Sequence, residues 1–471
     1  MLQIGEEIEL TVDKFADKGM CISRHGGFVI FIEGVIPGEH VKVKIRKIKK
    51  NYAEARVLSV IQRSPSRVKA PCRHFGTCGG CKWQHVLYEC QLDAKRQSVC
   101  DAIRNTVEIQ DLNVKDTIGS AFIYGYRTKM EFSFSNRIWV PDEEISSGES
   151  RNTGFALGLH APSQFSSVID IKKCHLQREP SSEILNTIRE IAVEHGWSPW
   201  NCFQKKGYLK HLVIRIGEKT GEIMINLITE SYKAERVKIL KHFLQERFPE
   251  ITTFVNSIVP GSSQNSSDSD VIVIFGPGII HDRIGGYIFE IKPNAFFQPN
   301  TAQAEILYNL AIEYAGLKSS DIVYDLYCGT GTISIFLSSF VKKVVGIELS
   351  RDAVENAARN ARINNIENCA FVSGDLMKIF TNAFVELYGK PDIIIVDPPR
   401  PGLHPKVVEL IAQLKPRRLV YISCNPMSQM RDIAMLRNVY SIEEVQPVDM
   451  FPQTYHIESI IKLSLIDGQR D

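Results

Sequence analysis

Between Ile322 and Leu465 apolar runs of strand length alternate with helical stretches, and the first run leaves through Asp325-Leu326-Tyr327-Cys328-Gly329-Thr330-Gly331 into a helix. Few chain patterns constrain a fold more, because this alternation is what an open, doubly wound parallel sheet requires. Strands are predicted at 322–326, 343–348, 370–372, 392–397, 418–423, 442–448 and 457–465, with helices at 331–340 and 352–364 between the early ones. The last two strands are too close for a helical crossover and should pair as a hairpin. In such α/β sheets ligands and chemistry collect at the carboxyl ends of the strands.

A chain of 471 residues exceeds one ordinary core and implies two or three domains. Residues 3–61 read as short strands (7–12, 27–31, 41–45, 54–60) broken at Gly26-Gly27 and Pro37-Gly38, the pattern of a small OB-like barrel. A Pro-containing linker, Arg63 to Pro71, leads to a mostly-β central region from Cys72 to about Ile291. That region also holds a helix expected over 88–104 and a polar stretch, Gly261 to Asp270, expected to be a mobile surface loop. The predicted domains are thus 1–62, 72–291 and 292–471, with no internal repeat.

Net charge is only +2, but residues 1–69 carry thirteen Lys plus Arg against eight Asp plus Glu. Val41, Val43 and Ile45 alternate with Lys42, Lys44 and Arg46, which on a strand makes one face apolar and the other basic. Such a face is either a nucleic-acid contact or a solvated outer surface. Ordinary globular composition, no apolar run of eighteen residues and an acidic start lead to the expectation of a cytoplasmic protein, monomeric by default and with no obligate protein partner.

The Gly329-x-Gly331 turn becomes specific through what surrounds it. Glu348 ends the next predicted strand, where a carboxylate can accept ribose hydroxyls; Asp375 follows Gly374, and Asp397 precedes Pro398-Pro399 at the end of the fourth strand. A nicotinamide site would normally show a third glycine where Ser334 stands. The arrangement resembles class I S-adenosylmethionine-dependent methyltransferases, whose cofactor has no phosphate to cradle. Relatives that methylate base amines resemble Asp/Asn-Pro-Pro plus an aromatic; here Arg400 follows instead, leaving room for chemistry driven from elsewhere.

Ser423-Cys424-Asn425-Pro426 ends the fifth predicted strand. A thiol there is a candidate nucleophile, although an isolated cysteine is more often an inert packed thiol. Uracil carbon 5 needs added electron density before it can be methylated, and a thiolate adding to carbon 6 supplies it. A base must then take the carbon 5 proton. Glu458, among Ile457, Ile460 and Ile461, is the candidate; the alternative is a carboxylate exposed at a strand end, and His456 is a weaker rival for the role.

Eleven cysteines are many for a chain of this kind. Cys72, Cys78 and Cys81 have metal-ligand spacing and glycines that let backbone wrap a cluster, and Cys90, Cys100 and Cys174 compete as fourth ligand. Cys21, Cys202, Cys328 and Cys369 read as packed thiols.

Together these motifs, in the order FFQPN, DLYCGTGT, GIELS, DPPRPGL, SCNP and YHIES, resemble the bacterial RNA uracil-5-methyltransferases, closest to 23S rRNA members with a TRAM domain and a [4Fe-4S] cluster. The resemblance implies S-adenosyl-L-methionine as cofactor, held by Gln298, Tyr327, Glu348 and Asp397, to which the glycine turn and the third carboxylate add Gly329 and Asp375. It implies Cys424 as nucleophile, Glu458 as proton acceptor, and Cys174 as the fourth cluster ligand beside Cys72, Cys78 and Cys81. Lys42, Lys44, Arg46 and Arg127 become candidate RNA contacts. Relatives acting on tRNA share this plan; methylation of another base position, or an inactive iron-sulfur RNA-binding module, are the further alternatives.

Overall fold

The computed structural model describes residues 2–106, 112–140, 154–162, 164–261 and 270–466. Residues 262–269, the body of the polar stretch expected to be a mobile loop, lie outside them. Among the described residues no helix is long and apolar enough to cross a membrane.

The N-terminal part is β1 (Glu7–Thr11), β2 (Lys14–Phe15), β3 (Cys21–His25), β4 (Phe28–Ile32), β5 (His40–Ile48) and β6 (Tyr52–Gln62), in the order β1-β5-β6-β4-β3-β2. The period-two pattern of β5 folds as its sequence dictates: Val41, Val43 and Ile45 are buried with Ile30, Ile32 and Ala53, while Lys44 and Arg46 face solvent. Sequence reading missed β2 and β3, which are short and lack a continuous apolar run.

The central sheet has the order β13-β12-β11-β10-β7-β8-β9 among the described residues. Its strands are β7 (Lys129–Ser135), β8 (Ala156–Ala161), β9 (Gln164–Asp170), β10 (Leu209–Ile216), β11 (Ile223–Thr229), β12 (Ile251–Ile258) and β13 (Asp270–Phe275). Only β11 and β12 run parallel. Residues of α2 (Ser181–Glu194) and α3 (Ala234–Arg247) join one core with this sheet.

The C-terminal part holds a sheet ordered β18-β17-β16-β19-β20-β22-β21. The strands are β16 (Ile322–Leu326), β17 (Lys343–Glu348), β18 (Cys369–Ser373), β19 (Ile393–Val396), β20 (Arg418–Ser423), β21 (Tyr440–Val448) and β22 (Glu458–Leu465). All pairs are parallel except those of β22, which is antiparallel to both β20 and β21. The expected hairpin is present, with β22 inserted between β20 and β21. Both faces are covered, so neighbouring strand residues enter different cores: Tyr324 and Leu326 on one side, Val323 on the other. One cover is α4 (Thr301–Ala315) and α5 (Thr332–Ser338), with the hairpin β14 (Ile280–Ile284) and β15 (Tyr287–Ile291), against which α6 (Arg351–Ile363) packs. The other is α7 (Leu376–Ile379), α8 (Asn382–Tyr388), α9 (Pro405–Leu414) and α10 (Pro426–Leu436).

The packing departs from the boundaries read from sequence. α1 (Tyr88–Thr106) buries Val99, Ala102 and Ile103 against the C-terminal core instead of the central sheet, and Phe289 and Ile291 of β15 join that core as well. Sequence periodicity locates an amphipathic face but not the partner that covers it. A buried ion pair, Lys95 with Asp449, ties α1 to the segment between β21 and β22.

Candidate active site

The carboxyl ends of the parallel neighbours β16, β17, β19 and β20 lie along one edge of the sheet. Gly329 and Gly331 both have left-handed backbone, at φ 54° and 79°. A Cβ on Gly331 would stand 2.8 Å from that of Ala357 and 2.9 Å from the Phe371 ring, whereas one on Gly329 would meet open space. Gly331 is therefore required by packing, and Gly329 leaves room for a ligand to approach. Tyr327 shares the left-handed region, φ 68°, a conformation costly for a residue with a Cβ and a mark of functional turns.

Glu348 is fixed by backbone donors, the Gly329 N–H to Oε2 at 3.2 Å and the Ser350 N–H to Oε1 at 2.8 Å. Behind it the Ser334 hydroxyl donates to Asp325 Oδ2 at 2.6 Å, so the serine in the third-glycine position anchors a buried acid. Burial raises Asp325 to about 6. Asp397 is raised to about 7, by burial and then by the negative charge of Asp325. Asp375 caps α7 through its carboxylate, accepting from the Met377 N–H at 3.0 Å. Gln298 precedes α4, whose Tyr308 is buried and hydroxyl-paired with Thr332 at 3.4 Å.

The strand-to-helix turn after β20 has a local explanation. Asn425 is the N-cap of α10, accepting from the Met427 N–H at 3.2 Å, and Pro426 occupies the first turn. Such a cap contributes about 1 kcal/mol, and proline costs nothing where the N–H has no helical partner. Asn and Pro thus serve the helix, which leaves Cys424 between strand end and cap. The Asn425 side-chain amide and the Ser428 hydroxyl both donate to the Arg400 carbonyl, at 3.0 and 2.9 Å, tying the segment after Asp397 to the turn that holds Cys424.

Cys424 is half-buried, with its pKa raised first by that burial and then by the Glu458 charge, while Arg400 pulls it down. Glu458 is buried, and burial followed by Asp397 pushes it well above the usual carboxylate range, again opposed by Arg400. Arg400 also reaches His456, Nη2 to Nδ1 at 3.3 Å. Burial, then Arg400, depress His456 to about 4, which makes it a poor proton acceptor near neutrality. Sequence reading noted Arg400 only for standing where base-amine methyltransferases have a stacking aromatic; its link to Cys424 and Glu458 across three strand ends leaves no local pattern.

The four proposed cluster cysteines, Cys72, Cys78, Cys81 and Cys174, line one small cavity with Leu159 and Ile171. Burial, with neighbouring thiols adding to it, raises Cys78 to about 11 and Cys81 to about 12. Cys90 donates to the Ser66 hydroxyl and Cys100 packs on the C-terminal core, so neither rival joins them. Among the described residues no group of three or more His, Cys, Asp or Glu could, as placed, hold a metal ion.

A larger cleft is lined by Arg127, Lys129, Arg215, His160 and Phe296, the last 68% exposed. Arg127 is no free surface arginine: it is half-buried, with its guanidinium 5.9 Å from the Phe451 ring. On β5, Lys42 pairs with Glu7 at 2.9 Å and Glu9 lies opposite it on β1, so that face carries both signs of charge.

Residues 279–466 match the family model tRNA (Uracil-5-)-methyltransferase, and residues 2–58 match the TRAM domain. A protein of Bacteroides thetaiotaomicron described as an uncharacterized RNA methyltransferase is 40% identical over 453 residues, covering 96% of this chain and all of that protein. One from Chlorobaculum tepidum with the same description is 38% identical, covering 97% and 96%. The crystal structure of Pyrococcus abyssi tRNA (uracil-54, C5)-methyltransferase in complex with S-adenosyl-L-homocysteine is similar over 97% of this chain and all of that one, with TM-score 0.74 and 26% identity.

Proposed function

The chain belongs to the RNA uracil-5-methyltransferase family, and from that premise we propose that it methylates carbon 5 of a uridine through a covalent adduct of Cys424, with Glu458 as the proton acceptor. The observation that carries the proposal is the meeting of thiol, buried carboxylate and Arg400 at the ends of β20, β22 and β19. As a thiolate Cys424 adds to carbon 6 and raises the electron density of carbon 5. Glu458 takes the proton that carbon 5 must lose once substituted, and the thiolate then leaves. Arg400 counters negative charge on both groups in turn.

S-adenosylmethionine, when bound, supplies a methyl group on a cationic sulfonium. The site suits such a cation, because Asp325, Glu348, Asp397 and Glu458 gather around it with Arg400 as a nearby positive side chain. Gly329 gives room for close approach, Glu348 is oriented as a hydroxyl acceptor, and Gln298, Tyr327, Asp375 and Asp397 complete the proposed cofactor residues. The four thiols form a soft donor set of the kind that suits a [4Fe-4S] cluster. Such a cluster would hold the loop from Cys72 to Cys81 and stand apart from the methyl transfer.

The RNA contacts proposed are Arg127 with Phe296 in the larger cleft and Lys42, Lys44 and Arg46 on the N-terminal sheet; a flipped base needs cationic and stacking partners of this kind. Ribosomal RNA is the target favoured by the combination of TRAM domain and four cysteines. Transfer RNA is the second reading, favoured by the likeness to the Pyrococcus abyssi enzyme. RNA tritiated at uridine carbon 5 tests the reaction: tritium release should equal methyl transfer, and methylation without release refutes it. Mapping 5-methyluridine in both RNA classes from a deletion strain identifies the target.

A further inference from the structure

The segment Asp449 to Ile457 joins β21 to β22 and delivers His456 and Glu458 to the site. It is held from outside its own hairpin. Gln453 lies at its centre, 2% exposed and left-handed at φ 69°. Its carbonyl accepts from the N–H groups of Lys82 and Trp83, at 2.9 and 3.0 Å, the two residues that follow Cys81. Its own N–H donates to Gln91 Oε1 at 3.0 Å, and Gln91 Nε2 returns a bond to Gln453 Oε1 at 3.1 Å. The same Nε2 reaches the carbonyls of Trp83 and Val86, at 3.1 and 2.9 Å. Tyr126 donates to the Pro452 carbonyl at 3.0 Å.

Gln91 is fully buried on α1 and lines neither the cysteine cavity nor the larger cleft. A buried amide that satisfies three partners fixes their relative positions, because any shift leaves a desolvated polar group unpaired. We propose that Gln91 and Gln453 are positioning residues that lock the segment carrying Glu458 onto the cysteine loop, so that order in that loop sets the reach of the carboxylate. The inference rests on the reading of Glu458 as proton acceptor and adds that the cysteine loop controls it mechanically.

The test is Gln91→Ala in the full-length protein. Cys424 still adds to the base, but proton removal slows. The expected result is a kcat lower by about tenfold with KM for RNA unchanged, and accumulation of a denaturation-stable protein–RNA adduct on ordinary uridine substrate. A merely structural role would lower activity without trapping adduct. Wild-type kcat together with wild-type adduct levels would overturn the proposal, as would a uniform loss without adduct. A second arm needs no substitution and no activity: hydrogen exchange of the wild type before and after the proposed cluster is stripped from the four thiols by chelation and oxidation. Amides of 450–457 should exchange faster while β16 and β19 do not; unchanged exchange at 450–457 contradicts the lock. Absence of any adduct between the wild type and 5-fluorouridine RNA is the separate failure of the functional reading, and leaves the exchange arm decisive for the lock.

Discussion

Cys424 and Glu458 stand one step beyond the paired residues Ser423 and Ser459, at the same end of two neighbouring antiparallel strands. Insertion of β22 beside β20 creates this relationship, since a parallel seventh strand would carry its first residue to the opposite edge. Gln429 pins the junction, its amide donating to the carbonyls of Tyr421 and Ser459 at 2.8 and 3.0 Å. Thiol and acid are therefore placed by the sheet itself.

Electrostatic coupling between the two gives opposite signs for two substitutions. Glu458 raises the Cys424 pKa and Arg400 lowers it, so the thiolate fraction of the wild type grows with rising pH. Glu458→Gln should shift the pH profile of iodoacetamide alkylation at Cys424 to lower pH, and Arg400→Gln to higher pH. Arg400→Gln should also lower kcat/KM by about tenfold or less, because the side chain is exposed and its charge is screened by solvent. Shifts in the same direction would refute the arrangement.

Asp397 makes cofactor selection depend on pH. Its folded pKa of about 7 lies above the unfolded value near 3.9, so the folded protein keeps a proton that the unfolded chain loses. This group's contribution to stability of the ligand-free protein is therefore full at low pH and falls as pH rises from about 4 to about 7. A bound sulfonium reverses the preference. Calorimetric titration should show discrimination for S-adenosylmethionine over S-adenosylhomocysteine, whose sulfur is neutral, increasing through pH 7, and Asp397→Asn should flatten that dependence. An unchanged slope in the variant would exclude Asp397 from the sulfonium site.

Lys95→Met should destabilise the protein by about 3–5 kcal/mol in urea unfolding, because it leaves Asp449 buried without its cation. Tyr88 and the Phe451 N–H still donate to that carboxylate, at 2.9 and 3.0 Å, which keeps the cost from rising further. A loss below about 1 kcal/mol, the size expected of a surface pair, would show that the pair does not anchor α1.

Much of the fold could be read from residues because its determinants are local. β16, β17 and β20 follow from apolar runs ended by Asp325, Glu348 and Cys424, and their bounds agree with those read from sequence. The meeting of the four cysteines was legible for three, which share one loop, while Cys174 was one of three candidates and was chosen by family likeness. Invisible were the contacts that join distant segments: Arg400 above Cys424, the docking of α1 on the C-terminal core, and Gln91 against Gln453. Glu7 beside Lys42 was equally hidden, since register between β1 and β5 decides which charges face each other. Spacing fixes what a segment is; pairing and packing decide what it touches.

The proposed reaction turns on the bond between Cys424 and carbon 6. Incubation with RNA containing 5-fluorouridine and with S-adenosylmethionine should give a protein–RNA complex that survives denaturation, because fluorine at carbon 5 cannot be removed as a proton by Glu458. Cys424→Ala should abolish the complex while cofactor binding persists. A wild type that forms no such complex, or a Cys424→Ala protein that forms it equally well, would contradict the claim.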